Sequence, residues 1–346
     1  MYKKRWTIVT AASTMLVGAL ALGYTRPAFA GSPWGADYFP NVPLLTQDGQ
    51  MVRFYDDLLK GKAVAINLIY TSCQDSCPLE TARLAQVQQL LGERVGRDIF
   101  FYSISIDPKR DTPAVLKAYM EKFHVGPGWL FLTGKKADID LLAKKLGLSS
   151  LTDAENRDGH MASLMLGNEP TGQWMRNSAV DNPRFLATTI SNFLQSWAAQ
   201  KPGKSYAEAA PLPMPAQGKH LFAGQYLFQT RCAACHTLGQ GDRIGPDLLG
   251  VTARRDQGWL ARFIQRPDQM LAEKDPLATA LFAQYKNVQM PNLRLGPGDV
   301  EVLLAYLEAQ SAALREADPE ESVAKLPDGN LAVAHEHHTH EGGPVR

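Results

Sequence analysis

The chain has 346 residues, 45% of them hydrophobic, and balances 36 Lys and Arg against 35 Asp and Glu for a formal net charge of +1. That length accommodates two domains, each with its own core. The near-neutral balance removes the electrostatic footprint expected of a nucleic-acid binder.

The first thirty residues stand apart. Lys3, Lys4 and Arg5 precede an uncharged, mostly apolar stretch from Trp6 to Tyr24, and Ala28-Phe29-Ala30 follows just before Gly31. The pattern predicts a secretory signal cut after Ala30. The competing reading is an uncut anchor at a membrane surface, because the apolar stretch is just long enough to span a bilayer. Both readings export the remainder, to a periplasmic location, soluble or anchored.

Val64 to Tyr70 is a short apolar run and reads as a buried strand, followed by a helix over Pro78 to Leu91 carried by Leu79, Leu84, Val87 and Leu90/Leu91. Ile99 to Ile106 is a second strand. Asp111 or Thr112 with Pro113 opens a helix to about Phe123. Trp129 to Leu132 is predicted as a strand and Ile139 to Leu146 as a helix stopped by Gly147. Met161 to Leu166 and Trp174 to Met175 flank Asn168–Gly172 as a hairpin, and Phe185 to Trp197 closes as a helix. Alternating strands and helices of this kind predict an α/β fold around a mixed sheet, assigned to residues 31–199. Residues 200–217 are rich in Pro and Ala without periodicity and read as a linker. Residues 218–313 are helical with long loops. The charged end, 314–346, reads as a disordered tail with His335, His337, His338 and His340. That histidine cluster suits either metal capture or solvated padding.

The four cysteines form two close pairs, Cys73/Cys77 and Cys232/Cys235. Disulfide staples in exported proteins tend to close longer loops, so pairs this tight point to chemistry. Cys232-Ala233-Ala234-Cys235-His236 has the spacing for covalent c-type haem: two thiols for the two vinyl groups and a histidine placed beneath the iron. A zinc site would need a second ligand pair, and no cysteines remain for one. With Gly224 and Phe228 before the motif, Ile244–Leu248 after it, a helix around Trp259 to Ile264 and a closing helix from Asp299 to Leu307, this region resembles the class I cytochrome c family. The resemblance implies an all-α domain with one covalent haem and Met290, in Val288-Gln289-Met290-Pro291, as second axial ligand beside His236. Met270 is the rival sulfur.

Cys73 and Cys77 sit where a buried strand gives way to a helix. Cysteines four apart in a helical turn share a face, and a helix N-terminus favours their thiolates. Two soft thiolates suit Cu(I), and one imidazole would complete a three-coordinate site; a plain redox dithiol is the other reading. The stretch from about Phe39 to Gln195 resembles the Sco (SenC) family through Thr71–Pro78, Ser103–Pro108 and Arg110–Pro113. The resemblance implies a thioredoxin-like fold, one copper ion, and His160 in Gly159-His160-Met161 as third ligand. Gln74 departs from a position where many members have proline. Asp107 either supports the site or caps a turn. His124 falls at a helix C-terminus, where its charge is favourable.

Cu(II)/Cu(I) and haem each move one electron, whereas a disulfide takes two. The resemblance to the Sco family implies a copper-binding assembly factor for a respiratory oxidase, partnered with its copper-containing subunit, and the matched one-electron steps suit a fused haem exchanging single electrons with copper. This is a metallochaperone and electron-transfer protein more than a turnover enzyme. The alternatives are a periplasmic thiol–disulfide oxidoreductase, or an electron-carrying cytochrome docked through its Sco-like part to other redox proteins.

Overall fold

A computed structural model of the chain describes residues 34–148, 162–194 and 219–317. The N-terminal apolar segment, His160, the 200–217 connector and the histidine cluster lie outside the described residues. The first unit is built on a seven-stranded sheet in the order β2-β1-β5-β4-β3-β6-β7. Its strands are β1 (Pro43–Thr46), β2 (Met51–Arg53), β3 (Ala63–Ile69), β4 (Ile99–Ser105), β5 (Trp129–Gly134), β6 (Ser163–Asn168) and β7 (Gln173–Ser178). Strands β3, β4 and β5 run parallel, while β1, β6 and β7 each run antiparallel to their inner neighbour. Every residue of β3 is buried, as befits a central strand covered on both faces.

Helices α1 (Cys77–Leu91), α2 (Pro113–Lys122) and α4 (Pro183–Leu194) cover one face, with Leu84, Leu116 and Leu186 in a common core. Helix α3 (Lys136–Lys145) and the turn over Phe54–Leu59 cover the other. This is a thioredoxin-like α/β domain. The β1–β2 hairpin was not expected from the sequence, because a three-residue strand with Met51 exposed carries too little alternation to register.

The second unit is all helical: α5 (Lys219–Leu227), α6 (Val251–Arg254), α7 (Gln257–Gln265), α8 (Pro267–Ala272), α9 (Pro276–Gln284) and α10 (Pro297–Ala317). Helices α5 and α10 cross at Gly224, where a Cβ would lie 2.1 Å from the Val302 carbonyl oxygen and 2.5 Å from Tyr306 Cβ. Phe228 and Tyr306 pack beside that crossing, ring centroids 5.7 Å apart. Helix α10 continues to Ala317, beyond both Leu307 and the expected tail start at 314. Its apolar period fades there, but Ser311 stays buried, donating to the Leu307 carbonyl and accepting from the Gly250 amide.

The two units touch. Ala234 and Ile244 are buried in the same apolar core as α1, with Cys235, Val288 and Leu293 packed against it. The Asn292 amide donates to the Gln74 carbonyl at 2.9 Å, and Arg294 Nη2 meets Asp75 Oδ2 at 3.1 Å.

Candidate metal and haem sites

Cys73 and Cys77 are positioned by the exit of β3. The chain leaves the sheet at Ile69, and the Cys73 amide bonds back to the Tyr70 carbonyl at 3.2 Å. This is the carboxyl end of the parallel strands, where α/β sheets place their ligands. Buried Asp111 fastens the loop, accepting from the Thr71 amide at 3.1 Å and from the hydroxyls of Thr71 and Ser105, both at 2.5 Å. Cys77 is the first residue of α1 and fully buried; Cys73 is 6% exposed. The two thiols are hydrogen-bonded to each other and neither is in a disulfide. That contact, against the cost of burial, holds Cys73 down to about 6, while burial pushes Cys77 up. One sulfur of the pair is therefore a ready thiolate, a soft donor of the kind Cu(I) prefers.

Glu80, three residues beyond Cys77, went unnoticed in the sequence. It is fully buried, accepts from Ser76 Oγ at 2.8 Å, and faces Asn67 Nδ2 at 3.5 Å. Burial raises its carboxyl to about 8, so near neutral pH it is mostly protonated. Its i,i+3 spacing from Cys77, on the same side of the helix, was the available signal.

His160 falls outside the described residues. Strand β6, which follows it, pairs Leu164 with Asn67 of β3, so β6 enters the sheet at the end from which the cysteine loop departs. Among the described residues no cluster of three or more His, Cys, Asp or Glu is assembled. Asp107 is a turn residue: its carbonyl accepts from the Arg110 and Asp111 amides, and its own amide bonds to Ser105 Oγ. His124 is exposed just past α2, in the left-handed region at φ 53°.

In the helical unit α5 widens into a π-type turn over Phe228–Cys232, a distortion that often marks a functional site. Cys232, Cys235, His236 and Met290 all line one crevice with about 1470 Å³ of empty space, its mouth included, walled by Leu260, Leu295 and Leu307. His236 Nδ1 lies 2.8 Å from the Pro246 carbonyl, which can only accept, so Nδ1 carries the proton and Nε2 keeps its lone pair. Burial lowers the histidine's pKa and keeps the ring neutral. Gly245 is obligatory here, since a Cβ would stand 2.6 Å from the imidazole Cε1. Burial pushes both Cys232 and Cys235 up to about 12. Met270 is fully buried but is not among the crevice-lining residues. A large apolar slot, a tautomerically fixed imidazole, a thioether and two thiols fit a covalently held haem.

The two sites are neighbours. Pro78, the residue after Cys77, lines the same crevice, and Gln74 and Asp75, between Cys73 and Cys77, are bonded to the loop that follows Met290.

Residues 36–194 match the SCO1/SenC family model, and residues 222–311 match the Cytochrome c model. An SCO2-like protein of Rickettsia felis is 40% identical over 96 residues, or 28% of this chain and 44% of its own length. The chain thus spans less than half of that relative. The SCO1 protein homolog of Bacillus subtilis is 30% identical over 142 residues, covering 39% of this chain and 71% of its own. A solved structure of Bradyrhizobium japonicum ScoI with copper bound is 27% identical over 44% of this chain and 99% of its own, with a TM-score of 0.37. The chain belongs to the SCO1/SenC family and carries a cytochrome c domain fused behind its thioredoxin-like domain.

Proposed function

We propose that this chain is an exported copper carrier that serves assembly of a respiratory oxidase, receiving or handing on copper at Cys73, Cys77 and His160. Haem held at Cys232 and Cys235, with His236 and Met290 toward its iron, supplies a one-electron couple matched to the copper cargo. The observation that carries the reading is the bond from Asn292 to Gln74, which ties the Met290 loop to the cysteine loop. Asp111 and the Tyr70 carbonyl hold the cysteine loop in shape. Pro246 fixes the imidazole of His236 in one tautomer, and Leu260, Leu295 and Leu307 give the crevice an apolar wall. The partner is the copper-containing subunit of the oxidase, and the location is the periplasmic side, soluble or anchored.

The test mixes copper-free protein bearing reduced haem with one equivalent of Cu(II) and follows haem oxidation. The expected result is a fast phase whose rate is independent of protein concentration. It should vanish in the Cys73→Ala, Cys77→Ala double variant. A rate that rises in proportion to protein concentration would instead assign the haem to an outside partner.

A second reading, thiol–disulfide exchange, draws support from the asymmetry of the pair: a low-pKa Cys73 beside a buried, high-pKa Cys77 resembles an attacking and a resolving thiol. Copper stoichiometry separates the two readings.

A further inference from the structure

Helix α1 carries a charge that neither site uses. Arg83 is 2% exposed, and among the described residues no carboxylate lies within ion-pair distance of it. An arginine buried this far is ordinarily paired. Its guanidinium instead reaches across the interface: Nη2 donates to the Gln229 carbonyl at 3.0 Å and the Thr230 carbonyl at 2.9 Å. Its Nη1 donates to Gln86 Oε1 at 3.0 Å, and Gln86 Nε2 donates onward to the Ala233 carbonyl at 3.0 Å. Two side chains of one face of the copper-site helix thus hold three carbonyls of the turn that presents Cys232 and Cys235.

The groups whose charge reaches Arg83 are Asp181, Arg231 and the sulfurs of Cys232 and Cys235. Near neutral pH the two sulfurs are uncharged, as thiols and as thioethers alike, which leaves exposed Asp181 as the counter-charge and Arg231 opposing it. Reduction of a haem adds one electron to the crevice beside this cation. In a medium of low dielectric that placement stabilises the reduced form, and bulk salt screens it little.

We propose that Arg83 is a positioning residue for the haem: it latches the turn that carries Cys232 and Cys235 onto α1, and its buried charge favours reduced haem. The inference rests on the proposed function only in requiring covalent haem; it does not require copper.

The test uses the full-length chain matured with haem and kept copper-free, as wild type, Arg83→Gln and Arg83→Lys. Two quantities are measured: the midpoint potential, and hydrogen exchange of the amides over 229–236. Arg83→Gln should shift the ferrous-to-ferric ratio at fixed ambient potential toward ferric by roughly three- to tenfold, tenfold being about 59 mV for one electron. It should also speed exchange over 229–236 by about tenfold, as three carbonyl contacts loosen. Arg83→Lys keeps the charge but not the fork. It should hold the potential near wild type while exchange still quickens. An unchanged potential in Arg83→Gln overturns the proposal, as does an equal shift in both variants or a shift that disappears in high salt. Should Arg83→Gln fail to mature, unchanged exchange in Arg83→Lys overturns the latch by itself. Absence of covalent haem from the wild type would sink the proposed function instead, so the two failures are distinguishable.

Discussion

The two cysteine pairs differ by a single residue of spacing, yet the fold gives them opposite chemistry. Cys73 and Cys77 straddle the entry to α1, where Cys73 is held down to about 6 by its bond to Cys77 while burial pushes Cys77 up. Cys232 and Cys235 sit at the exit of a helical turn, the first buried and the second partly so, and desolvation pushes both up to about 12. The same side chain is a ready thiolate in one pair and a neutral thiol in the other. The bond between the thiols of the first pair decides which, since burial raises Cys77, Cys232 and Cys235 alike.

The sharpest way to break this comparison is to remove one pair and read the other site. Cys232→Ala with Cys235→Ala should abolish covalent haem altogether, read as haem stain on denaturing gels, while copper binding stays near one equivalent. His236→Ala should lose low-spin haem. Loss of copper in the haem-pair variant would mean that the two pairs do not act as separate sites. The converse variant, Cys73→Ala with Cys77→Ala, should keep haem and weaken copper binding at least about a hundredfold, since even outer-shell partners cost 10- to 100-fold. His160→Ala should weaken it less, because thiolate is the preferred Cu(I) donor.

Met290→Ala should leave haem covalently attached but remove the weak sulfur-to-iron band at the red end of the spectrum and lower the potential. Met270→Ala should preserve the band, since Met270 is not among the crevice-lining residues. The opposite outcome would transfer the ligand to Met270.

Glu80→Gln sharpens the copper side by pH. The carboxyl titrates at about 8 in the folded, copper-free protein against an ordinary value of 4.5, so the fold binds the extra proton between those limits. Stability from this group is therefore full below pH 4.5 and falls as pH rises toward 8. Denaturant unfolding should show wild type losing stability relative to Glu80→Gln across that window, by about 1–4 kcal/mol. Cys73, whose pKa is lowered, works in the opposite direction above pH 6, and the difference between the two proteins reports Glu80 together with its charge coupling to the thiols. A pH-independent difference would remove Glu80 from the titrating set.

Much of the first unit was legible because its strands are buried apolar runs. The expected strand from Val64 is observed at Ala63–Ile69, and the expected helix from Pro78 at Cys77–Leu91. The cytochrome c domain was legible because the residues of its Cys232–His236 motif are contiguous. What escaped depends on contacts between distant parts of the chain. The apolar period of α1 placed Leu90 inward and gave Arg83 no special role, yet Leu90 is 49% exposed and Arg83 is buried. A second unit covers the flank that carries Arg83 and Gln86, and no pattern within residues 77–91 encodes a partner found at 229–233. Glu80 escaped for a related reason: its burial comes from the strand beneath it, with Asn67 facing the carboxylate.

The smallest effect belongs to the contact nearest both sites. Arg294 and Asp75 meet at 3.1 Å directly between the cysteine loop and the Met290 loop, which makes the pair an obvious candidate for the coupling element. Their side chains are 76% and 34% exposed, however, and exposed pairs of this kind contribute only about 0–1 kcal/mol. The neighbouring bond from the Asn292 amide to the Gln74 carbonyl is backbone to backbone and survives any change at 294. Arg294→Ala should therefore leave haem attachment and copper stoichiometry intact. It should slow haem oxidation by Cu(II) less than about threefold, with the residual effect fading at high salt. A loss of tenfold or more that persists in high salt would make the exposed pair, and not the buried Arg83 grip, the contact on which communication between the two cysteine pairs depends.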